Sequence, residues 1–226
     1  AASTTLSFTN DGKTALLYAK SPQITREATS EDAVAFTFRH TLSKVKFSFT
    51  NGYNATNSSI RVKDIMITDA YKTATVVLDA ASTWTPVADS NTLSLSFGNA
   101  VADDAGTDAD AFVNGDTLES YNELFMIPGA GATVNPKDAS KTECYTITFT
   151  VELLMNDDVI GSYNHTVYTT FAPEAGKAYD IAAVINPANL DPNNAQEAIE
   201  FTVTAIENWD TDLDDNGTAG DETPIQ

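Results

Sequence analysis

The sequence predicts an all-β, antiparallel protein, and two stretches carry most of that prediction. Tyr145, Ile147, Phe149, Val151, Leu153 and Met155 alternate without a break, Asn156-Asp157-Asp158 supplies turn formers, and Val159 to Phe171 runs back. Successive side chains of a strand point to opposite faces, so this is a hairpin with one apolar face. The second stretch is Ala33 to Thr50, AVAFTFRHTLSKVKFSFT. Phe36, Phe38 and Leu42 fall on even positions, whereas Val45, Phe47 and Phe49 fall on odd ones. A change of phase inside a β pattern requires a bulge, a bend or a tight turn, here around Thr41 to Lys44. Both stretches present an aromatic face that needs a partner sheet, and the expected core joins Tyr145, Ile147, Phe149, Val151 and Leu153 to Phe36, Phe38, Phe47 and Phe49.

Taken in order, TTLSFT and ALLYA read as two short strands joined by the turn Asn10-Asp11-Gly12-Lys13. Residues 20–32, KSPQITREATSED, form a polar loop with Pro22 and Arg26, the best candidate for a boundary. After the 33–50 stretch, NGYNATNSS is a loop of turn formers. Ile60 to Thr68 alternates without a clean face, which predicts a strand kinked near Asp64. Thr73 to Leu78 and Thr92 to Phe97 are short strands separated by a loop with Trp84 and Pro86. Residues 98–120, rich in Asp, Gly and Ala, read as a long functional or mobile loop. Leu124 to Ile127 is a short strand ended by Pro128-Gly129. Beyond the hairpin, Ala178 to Asn186 and Ala198 to Ile206 complete ten to twelve strands with no convincing helix, a spacing that suits sandwiches. The tail after Trp209 is polar and acidic.

Length and composition narrow the function classes. At 226 residues, 42% hydrophobic and 19% charged, the chain is a globular composition with room for a substantial core. No run of 18 apolar residues exists to cross a membrane as a helix. AASTTLSFTN has neither the basic start nor the apolar core of an export signal, and the chain reads as compatible with a mature or trimmed form whose signal has been removed. The single cysteine, Cys144, excludes an internal disulfide framework and reads as a small buried apolar residue. Residues 1–72 hold nine Lys/Arg against six Asp/Glu, and residues 73–226 hold three against twenty-six. Such an acidic body repels phosphate backbones and anionic lipid, so nucleic acid and membrane insertion are not expected partners. The asymmetry is either a solvated exterior or a polarity in which a basic end meets the acidic end of a neighbour.

Several phrases together resemble the fimbrillin-like family, surface pilins and related lipoproteins of Gram-negative gut and oral anaerobes. FTFRHTLSKVKFSFTN, preceded by ALLYA, is similar to the family passage that pairs a "DLLYA" strand with "F-x-H-x-L-(S/A)-K". LFMIPGA resembles its strand end in "IP", FAPEAGKAYDIAAVIN its "aGK-x-Y" strand, and AIEFTVTAIENWD its closing strand with "I-x-x-W". The four islands run in the family's order from about residue 15 to 210. The resemblance implies a transthyretin-like β-sandwich and a structural role as a pilus subunit or accessory adhesin assembled by strand exchange. It implies export to the cell surface or outer membrane, and as partners other pilin subunits or host or bacterial surface ligands. Members usually carry a further N-terminal sandwich before the ALLYA strand. Residues 1–32 are therefore read as a remnant of that domain or as edge strands, 33–210 as the sandwich, and 211–226 as an acidic tail. An Arg-directed cut in this family places the processing candidate at Arg26. Asp116-Thr117-Leu118 resembles the O-glycosylation acceptor of the same bacteria and makes Thr117 the candidate residue.

Other chemistry is thin. His40 and His165 are too few and too separated for a metal centre and read as hydrogen-bonded structural histidines. With no phosphate loop, nucleophile elbow or paired-cysteine motif, no enzyme activity, catalytic residue or cofactor is expected. Asp212, Asp214 and Asn216 with Gly217 match the first half of a calcium loop, although Thr223 stands where a bidentate Glu would be; an acidic solvated tail is the alternative. Trp84, Tyr121 and Tyr163 could stack on sugars or simply pack. A monomeric cell-surface glycan- or ligand-binding module is therefore the competing reading.

Overall fold

The computed structural model describes residues 4–19, 36–79, 81–87, 92–102, 106–190 and 199–208. In chain order the strands are β1 (Thr4–Thr9), β2 (Leu17–Ala19), β3 (Phe38–His40), β4 (Ser43–Asn51), β5 (Ser58–Tyr71), β6 (Thr73–Leu78), β7 (Thr83–Pro86) and β8 (Thr92–Gly98). They continue with β9 (Ala100–Val101), β10 (Thr117–Ser120), β11 (Leu124–Met126), β12 (Cys144–Met155), β13 (Asp158–Thr170), β14 (Lys177–Ile185) and β15 (Phe201–Asn208). A single 3-10 turn, Pro187–Leu190, precedes the last strand.

Two sheets hold the core between them, an arrangement consistent with a β-sandwich. One runs β15-β14-β4-β10-β9 with β11 also on β4, and the other runs β13-β12-β5-β8. From the first sheet, Val45, Phe47, Phe49, Ile181 and Ile185 are buried, and from the second Ile60, Val62, Ile65, Ile67, Ile147, Phe149 and Val151. Phe49 meets Phe149 across the layers at 5.1 Å between ring centroids. Burying a side chain of this size stabilises the fold by about 1.5–3 kcal/mol relative to exposure, so this aromatic layer is the main driving force. A second, small cluster of Leu42, Ala74 and Ile127 lies under a three-stranded sheet, β1-β6-β7.

The long hairpin forms as its pattern requires. Asn156 and Asp157 both adopt positive φ, 50° and 69°, which gives the two-residue turn whose twist matches antiparallel strands. Near this turn a register shift between Leu153 and Leu154 buries both leucines and leaves Met155 half-buried, so the apolar face breaks one residue early. The kink in β5 is a bulge. Asp64 takes φ 54°, and the buried set changes from Ile60 and Val62 to Ile65 and Ile67 across it. The Asp64 N–H leaves the ladder and donates to Asn99 Oδ1 at 3.0 Å.

Elsewhere the structure departs from the sequence expectation. Phe36 and Phe38 are 54% and 61% exposed rather than in the core. The strand is interrupted at Thr41 and Leu42, and β3 before the interruption pairs, among the described residues, only with β2 in a two-stranded ribbon on which both rings stay exposed. β1 and β2 do not form a hairpin: β1 pairs with β6 over six residues, and β2 pairs with β3. Trp84 and Pro86 belong to a strand, β7, not a loop. The 98–120 stretch contains β9, β10 and a bridge from the buried Phe112 to Ile60. The sheets are also not wholly antiparallel, since β14 runs parallel to β4 from Ala178↔Lys44 to Ile185↔Asn51. The described strands number fifteen because several two- to four-residue strands lie below the reach of a period-2 pattern.

Candidate functional site

The site that the fold builds is the seat of β1. Thr4↔Leu78 through Thr9↔Thr73 is an unbroken antiparallel register, so the strand is held by main-chain bonds along its whole length. Its side chains add little, because every residue is exposed except Phe8, which is half-buried. Phe8 packs on the Leu42, Ala74 and Ile127 cluster together with Leu16, Tyr71, Trp84 and Phe125. Without β1, the β6 main chain would present a free edge beside an apolar floor, the combination that templates pairing with another strand.

What fastens the end of β1 is polar. Asn10 is buried; its N–H donates to the Lys72 carbonyl at 2.7 Å and its Nδ2 to the Phe125 carbonyl at 3.1 Å. Its Oδ1 accepts from the Gly12 N–H at 3.0 Å. Gly12 sits at φ 77°, and a Cβ there would come within 2.7 Å of Leu95, so glycine meets both demands. Asp11 then caps the following turn, accepting from the Thr14 hydroxyl and amide, each at 2.7 Å, and from the Lys13 amide at 2.8 Å. These bonds hold its carboxyl well below the usual range, at about 2, with the Thr14 hydroxyl the largest cause. Further on, the Leu16 carbonyl accepts from both the Thr41 amide and its hydroxyl. Asn10 is read from the sequence only as part of a turn, since nothing in N-D-G signals burial, and Trp84 only as a sugar-stacking or packing aromatic, with no sign of its contact with β1.

Thr117 opens β10 and pairs with Thr50 of β4. Its hydroxyl lies 2.7 Å from the Thr50 hydroxyl on an exposed face. Arg26, Asp212, Asp214 and Asn216 lie outside the described residues. The three aromatics considered as sugar platforms occupy different parts of the fold. Trp84 donates its indole N–H to the Thr41 carbonyl at 2.7 Å and packs against Phe8; Tyr163 packs half-buried on the main core; Tyr121, after β10, is 48% exposed. Cys144 is fully buried. His165 is buried too, but its Nε2 has no hydrogen-bond partner and its ring stacks on Phe149, so packing rather than hydrogen bonding at that atom holds it.

Part of the basic charge of the first 72 residues is paired within the fold. Lys44 pairs with Glu123, Lys46 with Glu119 at 2.5 Å, Lys63 with Glu152 at 2.9 Å, and Arg61 reaches Glu152 at 3.9 Å. Four of the nine basic residues in the first part of the chain thus face carboxylates from the acidic part.

Together these features define an all-β, sheet-rich protein in which a short N-terminal strand closes the edge of a small sheet. The chain belongs to the fimbrillin-like family, whose model matches residues 2–209. Among solved structures it is similar to a candidate cell-adhesion protein from Bacteroides uniformis, with 15% identity, 91% of this chain and 66% of that one covered, and a TM-score of 0.44. Another from Bacteroides ovatus has 18% identity, coverage of 77% and 47%, and a TM-score of 0.36. One from Parabacteroides distasonis has 8% identity, coverage of 74% and 52%, and a TM-score of 0.45. The chain therefore spans between 47% and 66% of the length of these three structures. No curated protein sequence matches it significantly.

Proposed function

We propose that this chain is a structural protein of the bacterial cell surface, a pilus subunit or accessory adhesin that joins its neighbours by strand exchange through a transthyretin-like sandwich. The observation that carries the reading is β1: six residues of continuous main-chain pairing with one half-buried anchor. A strand held this way can be replaced by another of similar shape, because its affinity resides in backbone bonds that any extended peptide can remake. Arg26 lies in sequence between β2 and β3, so a cut after it would sever β1 and β2 from the rest of the chain. Their departure would leave an unpaired β6 edge and an apolar floor, unstable alone and satisfied by a neighbour's strand. Thr117, exposed on the outer face, is the modification candidate, and its hydroxyl is open to an attached glycan. The segment after Trp209 has no apolar alternation and is a poor donor, so the intact chain is a monomer that its own tail polymerises only weakly after cleavage.

Limited trypsin digestion followed by light scattering tests this, with Arg26→Gln as the control for other cut sites. Weak, Arg26-dependent growth in mass supports the proposal. Long polymers from this chain alone would refute the reading of the tail. A cleaved monomer that keeps its N-terminal piece bound indefinitely would sink the trigger at Arg26.

A further inference from the structure

His165 occupies a place where a charge has no answer. It lies in β13, 6% exposed, with Nε2 buried and unpartnered. Its ring lies nearly parallel to that of Phe149, the residue opposite it on β12, at 5.2 Å and 21°. Phe149 in turn touches Phe49 of β4 at 5.1 Å and Phe201 of β15 at 5.9 Å. The imidazole therefore ends an aromatic chain that crosses both sheets and reaches the last strand. Among the described strands, β13 and β15 are the outer members of their sheets. A groove of about 390 Å³ runs between them, lined by Thr166 to Thr170 on one side and Ile199, Glu200 and Phe201 on the other.

A neutral imidazole suits this seam, but an imidazolium does not. The register sets His165 opposite Phe149 and flanks the pair with Ile147 and Val151 on β12 and Tyr163 and Val167 on its own strand, while Phe201 of β15 lies against Phe149. None is a carboxylate. The charged groups along the groove are Glu200, Lys137 and Lys141, two cations against one anion, and they offer no net compensation. Burial alone holds this imidazole below its ordinary pKa.

We propose that His165 is an acid-sensitive latch: its protonation opens the seam between β13 and β15 and loosens the C-terminal strand, which neutral pH keeps closed. The sign follows from linkage. The closed seam binds the neutral ring, whereas an exposed imidazole takes up its proton near pH 6.5. The latch is fully closed above about pH 6.5. Each unit below that shifts the closed-to-open ratio by up to about tenfold, until the ring titrates in place. Asp180, whose pKa burial raises, titrates with the opposite sign and cannot mimic this loss.

Hydrogen exchange at pH 7.5 and 5.5, corrected for intrinsic rates, tests the latch on the full chain. Protection of β13 and β15 amides is expected to fall about tenfold while that of β5 holds. His165→Phe, which keeps the stack and removes the proton site, is expected to abolish the fall. A uniform loss over all strands, or an equal fall in His165→Phe, would overturn the proposal. Should that variant not fold, His40→Gln leaves His165 as the only histidine for NMR titration. A ring that titrates near its ordinary value while β15 stays protected would overturn it as well.

Discussion

Phe8 meets the indole of Trp84 edge to face, with centroids 5.8 Å apart and planes at 74°, and the same indole donates to the Thr41 carbonyl at 2.7 Å. This contact links three parts of the chain that are distant in sequence. β1 supplies the phenyl ring, β7 the indole, and the link between β3 and β4 the carbonyl. Trp84 is thus the wall against which the one anchoring side chain of β1 rests, and its own position is fixed by a bond that does not depend on β1.

Phe8→Ala should therefore loosen β1 far more than it harms the rest of the fold. A fully buried Phe→Ala change costs about 3–5 kcal/mol, and half-burial brings this to about 1–2 kcal/mol. Amide exchange in Thr4–Thr9 is expected to accelerate accordingly, with that of β12 unchanged. Equal acceleration in both would mean that β1 is integral to the core and not a separable strand.

The main core should behave differently. Phe47→Ala or Phe149→Ala is expected to cost about 3–5 kcal/mol in denaturant unfolding, because each ring is buried within a set of aromatic contacts across the sheets. Phe36→Ala and Phe38→Ala should change stability by less than about 0.5 kcal/mol, since both rings are more than half exposed. A large loss at Phe38 would contradict its position on the ribbon.

Those two phenylalanines mark where the sequence stops being readable. A period-2 pattern reveals which side chains share a face, and it located the β5 bulge at Asp64, the 156–157 turn and the face of β12. It does not reveal whether a second layer covers that face. Phe36 and Phe38 alternate as well as Phe47 and Phe49 do, yet only the latter pair meets an opposing sheet. Parallel pairing of β14 with β4 joins residues more than 130 positions apart, and no local signal encodes such a contact. β7 and β9 are too short to show a period at all. At the site, Thr117 was legible as a motif and is exposed, whereas the burial of Asn10 and the contact of Trp84 arise from tertiary packing alone.

Glu152 is the least exposed of the ion-paired carboxylates among the described residues. Its side chain is 17% exposed, and it faces Lys63 at 2.9 Å and Arg61 at 3.9 Å. Arg61 and Lys63 lie two residues apart on one strand, so removing the acid between them leaves like charges side by side. Glu152→Gln is expected to cost roughly 1–2 kcal/mol, and added salt should recover part of it by screening the repulsion. Glu119→Gln, at a pair open to solvent, should cost less than about 1 kcal/mol. Urea midpoints at low and high salt separate the two cases.

The turn after β1 should loosen in acid through one residue. Asp11 accepts three bonds as a carboxylate and titrates at about 2 in the folded chain, below the value near 3.9 of an unfolded one. A depressed carboxyl contributes stability that is fully present above about pH 4 and is lost as pH falls toward 2. The group is almost fully exposed, so water screens the effect to less than about 1 kcal/mol, too little to unfold the molecule by itself. Its reach is local: the Lys13 and Thr14 amides keep only a neutral oxygen in place of a charged one, and the turn that ties β1 to β2 weakens. Asp11 is one of thirty-two acidic residues, so the readout must be those two amides rather than global unfolding. Asp11→Asn keeps a side-chain oxygen for the two amides and has no proton to gain. Protection of Lys13 and Thr14 is expected to drop between pH 4 and 2 in the parent chain and to stay level in Asp11→Asn. A drop of the same size in both would assign the loosening to the surrounding carboxylates and remove Asp11 from the fastening of β1.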